Sequence, residues 1–166
     1  MSFEFRPLGW RDAQEIAAWR YDGIYAFYDT ERTLVLGVVL LRPFLNLAGI
    51  RFYAVDIAGD RCAGIFSFQR HGSTLTIGLG LRPALTGRGV GEGFLGAGLA
   101  FGTQVFRPET FRLTVAAFNQ RAIRVYERAG FISRRRFAQW TRGGTREFIE
   151  MTRPAELEAK QNKLLT

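Results

Sequence analysis

Three glycines at alternating positions separate a strand pattern from a helix pattern near the middle of the chain. Gly87, Gly89 and Gly91 follow residues 74–82 and lead into a helical pattern that starts at Val90. Glycine permits a close approach of backbone N–H groups to a ligand because it has no Cβ. A helix N-terminus adds partial positive charge and unpaired donors. The segment therefore predicts an anion site whose natural ligand is a phosphate or a pyrophosphate.

The strand patterns before the glycines argue against two common nucleotide-binding loops. Residues 51–58, 62–70 and 74–82 each have strand character with turn signals between them, which predicts an antiparallel meander. A dinucleotide loop has the spacing Gly-x-Gly-x-x-Gly directly after the first strand of a βαβ unit, whereas this chain has Gly-x-Gly-x-Gly in mid-sequence. A P-loop is excluded as well, because no Gly-Lys-Ser/Thr follows.

The rest of the chain alternates between strand and helix patterns. The other predicted strands begin near Phe3 and cover 110–117, 131–140 and 145–152. The predicted helices cover 10–20, a stretch from Val90, a stretch capped by Asn119 and ended by Gly130, and 155–165. Residues 32–46 suit either a helix ended near Pro43 or a buried strand, and we take them as a helix. This order predicts an α/β fold: a mixed, mostly antiparallel central sheet with helices on both faces. We expect one domain over residues 1–153 and a polar helical C-terminal tail over residues 154–166.

Composition places the chain among ordinary globular proteins. Its 166 residues are 47% apolar and 23% charged, which suits one domain with a substantial core. The longest apolar run, Leu34 to Leu41, is far shorter than the ~20 residues of a membrane-spanning helix. The first residues lack the pattern of a signal peptide. Cys62 is the single cysteine, so no disulfide framework exists and a cytoplasmic location is favoured.

The charge of the chain is strongly positive and is carried by arginine. The net charge is +8, and of the 23 basic residues two are lysines, Lys160 and Lys163, which leaves 21 arginines. Arginine binds phosphate with two hydrogen bonds, so a nucleic-acid partner must be weighed. The arginines are scattered, however, with a run only at Arg134–Arg136, which argues against nucleic acid. The single histidine, His71, gives no basis for a metal site.

Two separated motifs resemble those of the GCN5-related N-acetyltransferase (GNAT) superfamily over about residues 50–135. They read Leu81-x-Pro83…Gly87-x-Gly89-x-Gly91 and Asn119-x-x-Ala122-x-x-x-Tyr126-x-x-x-Gly130-Phe131. The stretch Trp19-Arg-Tyr-x-x-x-Tyr25-x-x-Tyr28-Asp29 is similar to a bacterial subgroup whose substrates are mostly unassigned. One position departs from the family, because Thr86 stands where members have Gln or Arg.

The resemblance implies acetyl-coenzyme A as co-substrate and no metal. Backbone amides of residues 87–91 would hold the pyrophosphate, and the backbone of Leu81 would pair with the pantetheine arm and polarise the thioester carbonyl. Tyr126 would act as general acid, since a nearby O–H donor helps a thiolate to leave. The implied coenzyme-binding residues are Leu79, Gly80, Leu81, Thr86, Gly87, Arg88, Gly89, Val90, Gly91, Asn119, Arg124 and Tyr126.

The acceptor implied by the resemblance is a primary amine of a small molecule or a peptide. A lysine-like amine has a pKa of ~10.4 and needs a base at neutral pH. The strand Thr76–Leu81 carries no carboxylate, so the base is water or a residue elsewhere. The candidate carboxylates for this base are Asp29, Asp56 and Glu92. An α-amine of pKa ~8 lowers the need for a base.

Three aromatic residues of the N-terminal segment, Trp19, Tyr25 and Tyr28, are predicted to line the acceptor pocket. The alternative is that these residues and Tyr21 form core under the first helix. Small amines, antibiotic amines, protein N-termini and lysines all stay open as acceptors. The alternative function is a non-catalytic acyl-coenzyme A-binding or RNA-binding module of the same fold, which the missing strand carboxylate favours slightly. Exposed strands near the C-terminus suit pairing into a homodimer.

Overall fold

The computed structural model describes residues 1–29, 37, 41, 48–141 and 143–155. The strands among these residues are β1 (Phe3–Pro7), β2 (Ile50–Ile57), β3 (Asp60–His71), β4 (Thr74–Leu81), β5 (Thr110–Ala116), β6 (Ile132–Thr141) and β7 (Gly144–Pro154). The α-helices are α1 (Trp10–Ala17), α2 (Val90–Phe106) and α3 (Gln120–Arg128). Two 3-10 turns cover Gly23–Tyr28 and Pro83–Leu85.

The strands form one sheet in the order β1-β2-β3-β4-β5-β7-β6. Four neighbouring pairs are antiparallel, namely β1–β2, β2–β3, β5–β7 and β6–β7, and β4 runs parallel to β5. β3 and β4 are neighbours joined by the two residues Gly72 and Ser73, and a connection that short makes them antiparallel. The predicted mixed, mostly antiparallel sheet is confirmed.

The chain falls into two compact units, of which the first comprises Met1–Gln69 and Gly78–Phe94. On one sheet face of this unit, side chains of α1 and Trp19 form a core cluster that includes Ile65 at its border. The adjacent residue Phe66 packs on Phe94 of α2, with ring centroids 4.7 Å apart. Because neighbouring residues of a strand point to opposite faces, α1 and the start of α2 cover opposite faces of the sheet, as predicted.

The second unit comprises Arg70–Ile77 and Leu95–Thr166. Apolar side chains alternate along β5 and β7 and are buried on one face: Phe111, Leu113, Val115, Ile149 and Met151. The buried Arg153 closes this core by donating from Nη1 to the Ala129 carbonyl at 2.9 Å. β6 is the edge strand, and all its residues except Phe137 and Thr141 are exposed.

Helix boundaries differ from the sequence prediction at α1. The helix ends at Ala17 rather than at residue 20, because Ala18 and Trp19 donate to carbonyls three residues back, at 3.0 Å each. These tighter bonds take the chain out of the helix and place Trp19 in the core. Apart from Gly37 and Leu41, the helix predicted over 32–46 lies outside the described residues, as does the tail over 156–166. The domain boundary at residue 153 stays a prediction.

Candidate active site

Among the described residues, the end of β4 has no strand partner on the edge opposite β3. Arg82 donates its N–H to the Ala63 carbonyl on β3 at 2.9 Å, so its backbone groups face β3. Backbone groups of successive residues point to alternate edges, which turns those of Leu81 and Leu79 the other way. In the described chain the β4–β5 register ends at the pair Thr76–Arg112, so Leu79 and Leu81 lie beyond it.

The glycine loop follows β4 through the short turn Pro83–Leu85. Gly87 and Gly89 have φ angles of +74° and +77°, while Arg88 and Val90 are not among the residues with positive φ. Alternation of left- and right-handed residues points successive N–H groups to one side and forms an anion-binding nest. The nest predicted from the glycine spacing therefore has the corresponding backbone geometry.

The N–H groups of this nest are available to a ligand. None of the residues 87–91 donates a backbone hydrogen bond to another part of the described chain. The first N–H groups of α2 also have no partner within the helix. Arg88 is exposed and adds a positive charge beside them. Glycine is favoured at position 89 by its positive φ and not by lack of space, because a Cβ there would meet nothing within 4 Å.

Thr86, which departs from the family pattern, uses its hydroxyl within the turn. Its Oγ1 donates to the Pro83 carbonyl at 2.8 Å, and its N–H donates to the same carbonyl at 3.1 Å. The side chain therefore stabilises the turn that precedes the nest. We expect Thr86 to shape the loop rather than to place a charge near a bound anion.

Asn119 and Tyr126 lie in the second unit, at the start and near the end of α3. Asn119 caps the helix as predicted, because its Oδ1 accepts the N–H of Ala122 at 3.2 Å. Tyr126 is only 8% exposed, and its ring centroid lies 6.1 Å from that of Phe131. Arg124 is exposed on the same helix. Asn119 as cap and Tyr126 as a helical residue therefore belong to the same helix, as the sequence predicts.

The aromatic residues predicted to meet the acceptor differ in their placement. Trp19 is 7% exposed and belongs to the core cluster, so packing accounts for it and a direct contact with an acceptor is not supported. Its Nε1 is buried and has no hydrogen-bond partner in the described chain. Tyr25 and Tyr28 lie half-buried in the 3-10 turn Gly23–Tyr28, where surface contacts with a ligand are open to them.

Tyr21, which the sequence indicates only as a core or pocket aromatic, reaches the end of β4. Its hydroxyl donates to the Leu81 carbonyl at 2.7 Å, and its N–H donates to Oδ1 of Asp29 at 2.8 Å. Burial and, to a smaller extent, the negative charge of Asp29 raise the pKa of Tyr21 to about 12. The one signal in the sequence is Gly80, since a glycine inside a strand often marks a close approach of another group.

The structure also removes a candidate base. Asp56 accepts hydrogen bonds from Nε and Nη2 of Arg6, at 3.0 and 2.9 Å, and from the N–H of Cys62 at 2.9 Å. The Arg6 hydrogen bonds hold the pKa of this carboxyl below its usual range. A carboxylate so engaged is a poor proton acceptor, so the expectation that Asp56 serves as base is not supported. No cluster of potential metal ligands occurs among the described residues.

A mixed sheet with a backbone nest between β4 and α2 is the arrangement that the two sequence motifs lead us to expect of an acyltransferase. A family profile described as "Acetyltransferase (GNAT) domain" matches residues 3–132. The chain belongs to the GNAT family, and its enzyme class is that of the N-acetyltransferases. The resemblance of the two sequence motifs to this family is thereby confirmed.

Solved structures share this fold at low sequence identity. A chimera of the Vibrio cholerae spermidine N-acetyltransferase SpeG and hSSAT has a TM-score of 0.78 at 15% identity, over 94% of this chain and 97% of that chain. The V. cholerae SpeG structure with manganese ions has a TM-score of 0.75 at 16% identity, over 96% of both chains. The V. cholerae enzyme with CoA and spermine has a TM-score of 0.72 at 15% identity, over 93% and 96%.

These identities establish a common fold. Comparison with curated protein sequences gives no match. No helix in the described part of the chain is long and apolar enough to cross a membrane.

Proposed function

We propose that this protein transfers the acetyl group of acetyl-coenzyme A directly to a primary amine of a small molecule or a peptide. The observation that carries the proposal is the nest at Gly87–Gly91. Gly87 and Gly89 have positive φ, the residues that follow them do not, and the N–H groups have no acceptor in the described chain. In a GNAT chain this donor set suits a pyrophosphate. Arg88 adds charge complementarity.

Main-chain groups of β4 suit the extended arm of the coenzyme. The edge offers the N–H groups of Leu79 and Leu81 and the Leu79 C=O in strand geometry, which pair with amides of an extended ligand as a further strand does. The Leu81 C=O already accepts the Tyr21 hydroxyl. The Leu81 N–H polarises the thioester carbonyl in this arrangement. At Gly80, between Leu79 and Leu81, an added Cβ would face Ile65, Trp19 and Tyr21 rather than the edge.

Acetyl transfer makes one bond and breaks one. The amine nitrogen attacks the thioester carbon, the new N–C bond forms, and the C–S bond breaks. Tyr126 donates its hydroxyl proton to the leaving sulfur, a role that suits a tyrosine only 8% exposed. Asn119 and Arg124 contribute coenzyme contacts from α3, where Asn119 offers its amide nitrogen because Oδ1 caps the helix.

Water accepts the proton of the incoming amine. β4 carries no carboxylate between Thr76 and Leu81, and Asp56 is held by Arg6. This arrangement favours an acceptor that is weakly basic, such as an α-amine. The net charge of +8 also disfavours long-range attraction of a polycation. We therefore place weakly basic monoamines ahead of polyamines, although a related structure contains spermine. Tyr25 and Tyr28 contact this acceptor.

Two measurements test the proposal. Acetyl-coenzyme A at millimolar concentration raises Tm, because a ligand bound to the folded state stabilises it. Thiol release in the presence of an amine panel identifies the acceptor, with peptides bearing free or acetylated N-termini as a matched pair. Absence of a thermal shift overturns the coenzyme site. A shift without thiol release for any amine overturns direct acetyl transfer.

We also propose that the protein is cytoplasmic and forms a homodimer. Its only cysteine, Cys62, is buried and unpaired, as suits a reducing compartment. The edge strand β6 exposes Ile132 and Trp140, at 55% and 74%, on a strand with an unpaired edge. Light scattering on the purified protein tests the dimer, and substitution of Trp140 by Arg is expected to yield monomers.

A further inference from the structure

One peptide group at the end of β4 is anchored from two sides. The Leu81 carbonyl accepts the Tyr21 hydroxyl at 2.7 Å. The N–H of the same peptide, which belongs to Arg82, donates to the Ala63 carbonyl at 2.9 Å. Rotation of this peptide would break both hydrogen bonds. The Leu81–Arg82 peptide is therefore held in one orientation by a side chain 60 residues away in sequence. It adjoins the Gly80–Leu81 peptide, to which the Leu81 N–H belongs.

Two aromatic side chains lie over the end of β4 at Gly80. A Cβ on Gly80 would lie 3.9 Å from the Tyr21 Oη and 4.0 Å from Trp19 Cζ3, which are ordinary contacts, and 3.3 Å from Ile65 Cγ2, which is tight. Tyr21 and Trp19 therefore border the same point of the strand. The Tyr21 backbone is fixed in turn, because its N–H donates to Asp29 Oδ1 at 2.8 Å.

The Tyr21 hydroxyl acts only as a protonated group under physiological conditions. Burial, with a smaller contribution from Asp29, raises its pKa to about 12. A phenol with such a pKa does not accept the proton of an amine as a tyrosinate near neutral pH. Its contribution is a stable hydrogen bond to the Leu81 carbonyl. Its role therefore differs from that of Tyr126, the proposed general acid, and from that of a general base.

We propose that Tyr21 is a positioning residue for acetyl transfer, which acts by holding the Leu81–Arg82 peptide and thereby fixing the Leu81 Cα, from which the adjoining Leu81 N–H is directed at the thioester carbonyl. This inference rests on the proposed function, in which the edge of β4 binds the acyl end of the coenzyme. An N–H that stabilises developing negative charge must be aligned in the transition state more strictly than in the ground state. Loss of the anchor therefore lowers kcat more than it weakens coenzyme binding.

The test compares Tyr21→Phe with Tyr53→Phe. Both changes remove one hydroxyl from a half-buried tyrosine in the same unit, and Tyr53 lies on β2, two strands from β4 in the sheet. Tyr21→Phe is expected to lower kcat about tenfold, as suits loss of one hydrogen bond, with the thermal shift by coenzyme A retained. Tyr53→Phe is expected to leave kcat and the shift unchanged.

A second variant keeps the size of the ring. Site-specific replacement of Tyr21 by a fluorinated tyrosine lowers the pKa of the phenol, so kcat is expected to fall at a lower pH than in the wild type as the donor is lost. This readout distinguishes positioning from packing, because a purely structural ring leaves the pH profile unchanged. It also serves if Tyr21→Phe does not fold.

Failure of the proposed acetyl transfer and failure of the Tyr21 role give different results. If coenzyme A gives no thermal shift in the wild type, or the wild type releases no thiol, the proposed function fails. If the wild type is active, three results overturn the role of Tyr21: an unchanged kcat in Tyr21→Phe, a change in KM alone, or an unaltered pH profile in the fluorinated variant.

Discussion

Arg6 on β1 and Asp12 on α1 form an ion pair with two hydrogen bonds. Nη1 donates to Oδ2 at 2.6 Å and Nη2 to Oδ1 at 2.7 Å. Asp12 is only 3% exposed, and its Oδ2 also accepts the N–H of Gly9 at 2.9 Å. The same guanidinium donates to both oxygens of Asp56 on β2. One arginine thus joins two strands and the first helix.

Substitution of Arg6 by Met is therefore expected to destabilise the fold strongly. It leaves the buried Asp12 carboxylate without its cation, which costs about 3 kcal/mol or more in the free energy of unfolding. The matched control is Arg82→Met, because Arg82 pairs with Asp60 and Glu15, whose side chains are 50% and 44% exposed. Exposed pairs contribute about 1 kcal/mol at most. Urea unfolding at pH 7 measures both, and equal losses would contradict the role given to Arg6.

The same cluster predicts how stability depends on pH. Hydrogen bonds from Arg6 hold the pKa of Asp56 below its usual range. Burial would raise the pKa of Asp12, but hydrogen bonds from Arg6 and the Gly9 N–H outweigh it and lower that pKa as well. Both folded-state pKa values therefore lie below the unfolded value of ~3.9. The stabilisation is present above that value and is lost as pH falls through the folded pKa values.

Urea unfolding between pH 7 and pH 2.5 measures this loss. The free energy of unfolding is expected to fall steeply below about pH 4 in the wild type. Asp12→Asn is expected to be less stable at pH 7 and to show a flatter decline. Asp22→Asn, at an exposed position, is expected to keep the wild-type slope. A wild-type slope in Asp12→Asn would show that this carboxyl does not carry the effect.

Gly89 tests whether the nest depends on its backbone conformation. Gly89→Ala is expected to cost about 1–2 kcal/mol, because alanine is strained at a φ of +77° although the space is open. The thermal shift by coenzyme A is expected to shrink in parallel. Gly96→Ala is the control, since Gly96 lies in α2 without positive φ and also has open space. Alanine there is expected to add up to ~1 kcal/mol of stability.

Calorimetry with and without coenzyme A measures both glycine variants. The proposed nest requires a reduced shift in Gly89→Ala and a normal shift in Gly96→Ala. A normal shift in both variants would mean that the conformation at Gly89 does not contribute to binding.

Tyr126→Phe tests the general acid. The ring and its packing on Phe131 are kept, so coenzyme binding and Tm are expected to stay near the wild-type values. Loss of the proton donor is expected to lower kcat about a hundredfold. Steady-state thiol release measures kcat, with Tyr53→Phe as the hydroxyl-deletion control. A Tyr126→Phe enzyme with wild-type kcat would leave protonation of the sulfur to another donor.

Features set by local pattern could be predicted from the sequence. The alternation in residues 74–82, the glycine spacing and the cap at Asn119 each depend on neighbours within a few residues, and the structure contains the corresponding elements. These features also carry the family resemblance. The nest of the candidate site could be predicted from the sequence because a backbone nest depends on glycine positions rather than on distant side chains.

Contacts between distant residues could not be predicted in this way. Tyr21 and Leu81 are 60 residues apart, and Arg6 and Asp56 are 50 apart. Such pairs depend on strand register and on where α1 ends, and hydrophobic periodicity specifies neither. The same cause explains Trp19, which belongs to an aromatic stretch by sequence but lies in the core because the helix ends early.

Two roles for Asp29, anchor of Tyr21 or general base, predict opposite results for Asp29→Asn. Its Oδ1 accepts the Tyr21 N–H at 2.8 Å. Asp29→Asn keeps an oxygen acceptor there, so kcat is expected to change less than about twofold if the residue only anchors Tyr21. Asp29→Ala removes the acceptor and is expected to lower kcat about fivefold through looser placement of Tyr21. A carboxylate that served as general base would instead lose most activity in both variants. Thiol-release assays over a range of pH distinguish the two, since an anchoring role leaves the pH profile of Asp29→Asn as in the wild type.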